Sequence, residues 1–253
     1  FLNFNRRALE MLYLYVQKLT AEGKLEDATR LARLLYDPTK PDLFLTRVIL
    51  RDQLSRNTLD EKALTEALTK FPKDPFLLQL AAELYFSRNQ SQKALEYVTR
   101  YRKAFKEDNP GMDLIEALAL EQTGQIDAAF TVFDALIRKM PDNPELDNLF
   151  IEMCRKHNRK QNLETLYKVL SEQRKPEIRE FLPYVSAEIL LMEGKKDEAL
   201  KLLAESDTSN RQLLFRAAYL LGENDRYKPA IRYYEKLESI APDFRPLALI
   251  NLS

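Results

Sequence analysis

The chain has 253 residues, 45% of them hydrophobic and 31% charged, with Lys plus Arg matching Asp plus Glu at 39 each. A formal net charge of zero removes the positive surplus that sequence-independent nucleic-acid binding requires. No apolar run approaches the length of about 18 residues needed to span a bilayer, and a single cysteine, Cys154, excludes an internal disulfide and a cysteine-rich metal site.

Along the chain an alanine returns at near-constant intervals: Ala28, Ala63, Ala94, Ala129, then Leu163 in the same slot, Ala199 and Ala230. The gaps are 35, 31, 35, 34, 36 and 31 residues, a mean of about 34. Self-similarity at this period marks stacked helix pairs, each of which buries its apolar face only against its neighbours. With few glycines and abundant Leu, Ala, Glu and Lys, it predicts an all-α chain, an α-α superhelix or solenoid of about seven helix pairs plus part of an eighth. The array is read as one domain over 1–253, in units 4–41, 42–74, 75–109, 110–143, 144–178, 179–209 and 210–243, with a partial unit 244–253.

The second unit is irregular, because Arg51 occupies the slot where its first helix prefers a small residue. In the third, Pro75 opens a helix with Leu78, Ala81, Ala82 and Tyr85 at three- and four-residue spacing. Asn89 and Gln90 mark the turn, and Ala94, Val98 and Tyr101 line the second helix before Asn109-Pro110 starts the next unit. The fourth unit repeats the pattern with Ala117 and Leu120, the turn at Gly124, then Ile126, Ala129, Phe133 and Leu136, closed by Pro141. The fifth replaces both small residues, with Ile151 and Leu163. The seventh is regular again, with Ala217, Ala218 and Leu221, then Tyr227, Ala230, Tyr234 and Leu237, and Pro242. Small residues let the two helices approach where they cross, and proline ends one helix or opens another. The stretch from Arg245 to Ser253 reads as the start of another first helix. With Phe1 rather than Met at the start, it points to a piece of a longer chain.

These marks resemble the tetratricopeptide repeat family: a small residue in the first helix (Ala82, Ala117, Ala187, Ala218), a turn residue (Gly23, Gly124, Gly194), a small residue in the second helix, and a closing proline (Pro72, Pro141, Pro242). The resemblance covers essentially the whole chain and is strongest in units three, four and seven, although Trp is absent throughout.

Little in the sequence points to chemistry. The one histidine, His157, follows Cys154 by three residues on one predicted helix, but Cys154 falls on an inward slot and His157 at an exposed helix end. Two such ligands are too few for zinc, and phosphate, dinucleotide and calcium loops are absent. The basic run from Arg155 to Lys160 falls at a helix-to-helix turn and reads as a solvated loop. No catalytic, cofactor-binding or metal-binding residue is therefore assigned, and the chain reads as a non-enzyme.

The resemblance implies that first helices line a concave, ligand-receiving face. Its positions here are Tyr13 and Gln17; Phe76, Gln79, Glu83 and Phe86; Leu114, Leu118 and Glu121; Asn148, Glu152 and Arg155; Phe181, Tyr184 and Glu188; Phe215 and Tyr219. The Lys/Asn/Arg set with which chaperone-tail readers of the family hold a terminal carboxylate is missing, and glutamates and aromatics stand in its place. The expected function is a protein–protein interaction scaffold that takes a peptide or partner protein in an aromatic, mildly acidic groove. The alternatives are a targeting arm of a larger enzyme or of a secretion or envelope assembly, and a self-assembling scaffold that associates through an open C-terminal end at Leu247, Leu249 and Ile250. Nucleic acid is disfavoured as a partner. The compartment stays open between the cytoplasm and a bacterial periplasm or envelope.

Overall fold

The computed structural model describes residues 6–240, which form helices and the turns between them, with no strand among them. Helices follow one another as pairs: α1 (Arg6–Ala21) with α2 (Leu25–Leu35), α3 (Leu43–Ser55) with α4 (Glu61–Lys70), α5 (Pro75–Ser87) with α6 (Ser91–Ala104), and α7 (Pro110–Gln122) with α8 (Ile126–Lys139). Then come α9 (Pro144–Lys156) with α10 (Lys160–Ser171), a short α11 (Pro176–Arg179) leading into α12 (Phe181–Met192) with α13 (Lys196–Glu205), and α14 (Arg211–Gly222) with α15 (Tyr227–Ile240). Pro242, read as closing the seventh unit, and the expected partial eighth unit 244–253, with Leu247, Leu249 and Ile250, lie outside the described residues. The chain divides into two compact units, 1–129 and 130–253.

The starts of the first helices follow from local chemistry. Asp42, Asp74, Asn109, Asn143 and Asn210 each accept the backbone N–H three residues on, from Leu45, Leu77, Met112, Leu146 and Leu213, at 2.9–3.2 Å. Pro75, Pro110 and Pro144 then take the first helical position, where a missing N–H costs nothing. The ends are equally regular. A left-handed residue closes each first helix: Gly23, Asn57, Asn89, Gly124, Asn158, Gly194 and Asp225, with φ between 52° and 80°. The amide just after each returns to the carbonyl five residues back, as in Gln90 N to Tyr85 O and Arg159 N to Cys154 O, both 2.8 Å. This turn residue repeats more faithfully than the alanine does.

Counting from it corrects the register of the second pair. Elsewhere the second helix starts two residues after the left-handed residue, and Ala28, Ala94, Ala129, Leu163, Ala199 and Ala230 are all buried five residues after it. After Asn57 the helix starts four residues on, at Glu61, so Leu64 takes the buried slot and Ala63 is only half-buried. On α3 the equivalent of Ala82 is likewise the buried Leu50, and Arg51 is exposed. The expected irregularity at Arg51 is thus a one-residue misreading. The departure here is a pair of leucines where α5–α6, α7–α8, α12–α13 and α14–α15 carry two alanines; the α9–α10 pair departs likewise, with Ile151 and Leu163. Two large buried side chains thus occupy the crossing of α3 and α4, and a cavity of about 360 Å³ lies beside them, lined in part by Ile49, Leu50, Gln53, Ala63, Ala67 and Phe71.

Each first helix also enters the core of the pair before it. Leu45 and Val48 of α3 pack with Ala28 and Ala32 of α2. Met112, Ile115 and Ala119 of α7 pack with Ala94, Val98 and Tyr101 of α6. In the second unit Phe150 of α9 meets Phe133 and Phe130 of α8, with ring centroids 5.1 and 5.9 Å away. Each such Leu, Val, Ile, Met or Phe side chain contributes about 1.5–3 kcal/mol by leaving water.

One buried polar group breaks the pattern. Asp113 of α7 accepts Arg102 Nη2 at 2.7 Å. Its counterpart one repeat later, Asp147, is fully buried with both oxygens unbonded, because the residue in Arg102's place is Ile137, itself buried. Burial, then the nearby charge of Asp142, pushes the Asp147 carboxyl up to about 7.

Two expectations follow. Leu64→Ala should cost about 2–5 kcal/mol in denaturant unfolding, whereas Ala63→Ser should stay within about 0.5 kcal/mol; equal losses would restore the alanine register. Folded Asp147 holds its proton up to about pH 7, whereas an unfolded aspartate releases it near pH 3.9, so the stability linked to this proton is full below that value and is lost as pH rises toward 7. Asp147→Asn should therefore match the parent in acid and exceed it by about 4 kcal/mol at pH 8. A constant difference across that range in chemical melts would show that the carboxyl stays ionised.

Candidate functional site

In the second unit, helical spacing gathers a site from three first helices. Glu145, Asn148, Leu149, Glu152 and Arg155 lie along one face of α9 at steps of three and four residues, and Gln212, Phe215, Arg216 and Tyr219 do the same on α14. Tyr184 of α12 stands between them, and together they surround an open cavity of about 640 Å³. This volume is within the range of ligand pockets.

The cavity wall is ordered by polar contacts. Asn148 Nδ2 donates to the Pro144 carbonyl at 2.9 Å and also to Gln212 Oε1, which ties α9 to α14. Arg155 pairs with Glu152 one turn before it. Arg216 Nε donates to Glu188 Oε1 at 3.3 Å, which neutralises a carboxylate that is almost fully buried. Burial first, and then the Glu188 charge, raises the Tyr184 hydroxyl pKa far above its ordinary value, so the phenol stays neutral. Three carboxylates thus face two guanidiniums, and Glu145, exposed in the first turn of α9, has no cationic partner among the described residues. Leu149 and Tyr219 leave much of their apolar surface in water.

Of the residues expected to form a groove, the structure brings together Asn148, Glu152, Arg155, Tyr184, Phe215 and Tyr219, with Glu188 beneath them. Phe181 is a correction: it is fully buried and belongs to the interior, so no partner can reach it. The positions in the first unit are dispersed. The Tyr13 hydroxyl donates to Asp42 at 3.2 Å and its ring tilts against Phe44 at 5.5 Å, so it fastens α1 to the start of α3. Phe76 lies beneath the guanidinium groups of Arg47 and Arg51, at 6.0 and 5.6 Å. Gln79 donates to Glu83 at 2.8 Å and accepts from Asn109 at 3.1 Å. Phe86 packs against the core, and Glu121 is half-buried on α7. None of these six lines the cavity beside α3 and α4.

Sequence reasoning missed Glu145, Leu149, Gln212 and Arg216 as wall residues. The signal was available, because each lies three or four positions from a residue already assigned to the same stripe. Reactive groups are absent from the wall. Cys154 is fully buried and its thiol pKa is driven up by that burial, the condition of an inert sulfur. His157 is half-buried rather than exposed, its ring edge-on to Phe130 at 6.3 Å. Among the described residues no three His, Cys, Asp or Glu side chains gather as a metal site, and no helix is long and apolar enough to cross a membrane.

No family model and no curated protein matches the chain. Among solved structures, a tetratricopeptide repeat protein from Parabacteroides merdae is similar over 98% of this chain and 100% of its own, with 17% identity and a TM-score of 0.65. A 41-end form of MamA from Desulfovibrio magneticus matches at 14% identity and a TM-score of 0.41, over 67% of this chain and 96% of its own. YrrB, described as a tetratricopeptide repeat protein with an unusual peptide-binding site, matches at 18% identity and 0.38, over 82% and 90%. The first of these shares the fold.

Proposed function

We propose that this chain, whose fold is that of the tetratricopeptide repeat proteins, is a non-enzymatic interaction scaffold whose second unit seats a peptide segment of a partner protein between α9, α12 and α14. The observation that carries the reading is the cavity of about 640 Å³, where Leu149 and Tyr219 stand open to solvent beside a half-buried Phe215 inside a polar rim. Exposed apolar surface rimmed by polar groups marks an interaction site, and aromatic anchors bury much area with few rotors to immobilise.

Charge narrows the partner. Arg155 and Arg216 are already paired, and Glu145 is left over. A segment with an aliphatic or aromatic anchor and a nearby Lys or Arg satisfies both the wall and the rim, whereas a phosphate backbone would meet uncompensated carboxylate.

Peptides selected by the chain from a random displayed library should share an apolar anchor flanked by a basic residue. Tyr219→Ala and Glu145→Lys, both on exposed side chains, should each weaken a selected peptide at least about tenfold while the thermal melt stays in place. Selected sequences without basic residues, or affinities indifferent to both changes, would remove this groove as the binding site.

A further inference from the structure

The irregular second pair encloses space that the regular pairs do not. Leu50 and Leu64 fill the crossing, and the backbones of α3 and α4 run close together over far less of their length than those of α5 and α6. The cavity of about 360 Å³ beside them lies inside the first unit, walled by the end of α2, the loop at Pro38 and Pro41, α3 and α4. It is therefore bounded by two complete helix pairs. Ile49, Leu50, Ala67 and Phe71 make most of its wall apolar, and its volume admits a small molecule.

Four polar side chains line the same cavity without a task in the fold. The amide of Gln53 makes no hydrogen bond among the described residues, although its oxygen is buried. A polar group left so in a wall calls for an explanation. The hydroxyl of the half-buried Tyr36 is likewise unbonded among the described residues. Arg33 and Lys70, both exposed, pair with no carboxylate among the described residues, whereas the one acid beside them, Glu66, has Lys62 at 3.9 Å. Both cations stand in the last turn of their helices, where the negative helix end accounts for them. That leaves the amide and the hydroxyl unaccounted for. The free charge here is positive, so the complementary ligand is an anion, and the apolar wall selects against a small hydrophilic one.

We propose that this cavity is a binding site for a small carboxylic acid with an apolar body. The body leaves water against Ile49, Leu50 and Phe71. The carboxylate accepts hydrogen bonds from Arg33 and Lys70, which are stronger for being charge-assisted. The Tyr36 hydroxyl is a neutral donor left for the same group, and the Gln53 amide, which turns easily about its terminal bond, gains a partner in the ligand's oxygens. The site is independent of the groove in the second unit.

Titration calorimetry of the 253-residue chain with the straight-chain carboxylates from butanoate to dodecanoate, below micelle-forming concentrations, tests this. The matching alcohols and inorganic phosphate serve as controls. At least one carboxylate should bind 1:1 with a dissociation constant below about 1 mM. The alcohol of the same length should bind at least about tenfold more weakly, and phosphate should not bind. Arg33→Gln combined with Lys70→Gln should weaken the acid at least about tenfold with an unchanged melt, because both side chains are exposed. Ala63→Leu, which places a larger side chain in the cavity, should also weaken it, whereas Tyr219→Ala in the second unit should leave it unchanged. The proposal fails if no carboxylate binds below about 1 mM, if the alcohols bind as tightly as the acids, or if the Arg33 and Lys70 double variant binds the acid like the parent.

Discussion

A hairpin of two helices cannot cover its own apolar faces, and the rest of this structure follows from that deficit. The distance between the paired helices is set at one crossing. Where it holds two alanines, as in Ala82 with Ala94, Ala117 with Ala129, Ala187 with Ala199 and Ala218 with Ala230, all of these side chains are buried. Where it holds Leu50 with Leu64, bulky side chains occupy the approach and a cavity lies alongside. The left-handed turn keeps the count. By fixing where each first helix stops, it decides which side chains point inward on both helices.

The candidate site is a by-product of the same stacking. First helices of successive pairs in the second unit present residues at three- and four-residue spacing to a common space, so a stripe on α9 faces a stripe on α14 across Tyr184. The wall is stiffened by pairs that neutralise its own charges, Arg155 with Glu152 and Arg216 with Glu188, and by the Asn148–Gln212 bond between helices. What stays uncommitted is an acid at the rim and apolar surface inside. In the function proposed above, that combination is what a partner segment meets, while Cys154 is buried away from it.

Repeats tolerate local misfits because each pair answers only to its neighbours. Asp147 keeps a position that its predecessor Asp113 uses for an ion pair with Arg102, although Ile137 has removed the partner. A buried carboxyl without hydrogen bonds costs stability when it ionises, yet the surrounding hairpins still close.

The all-helical class and the helix pairs were legible in the sequence because they rest on short-range signals: apolar residues at three- and four-residue spacing, Asp or Asn before a first helix, and Gly, Asn or Asp at a left-handed turn. Those signals act within a few residues and survive in the linear order. Three matters needed the folded chain. The register of the second pair was one, since a turn longer by two residues moves Leu64 into the slot that counting alanines gives to Ala63. The fate of individual aromatics was another: Phe181 sits in the interior, Tyr13 is tied to Asp42, and Phe215 and Tyr219 face a cavity, although the same periodicity places all of them on first helices. The third was which buried acid keeps a partner: Arg102 reaches Asp113 from the preceding helix, whereas Ile137 leaves Asp147 without one, because only packing in space brings such distant positions together.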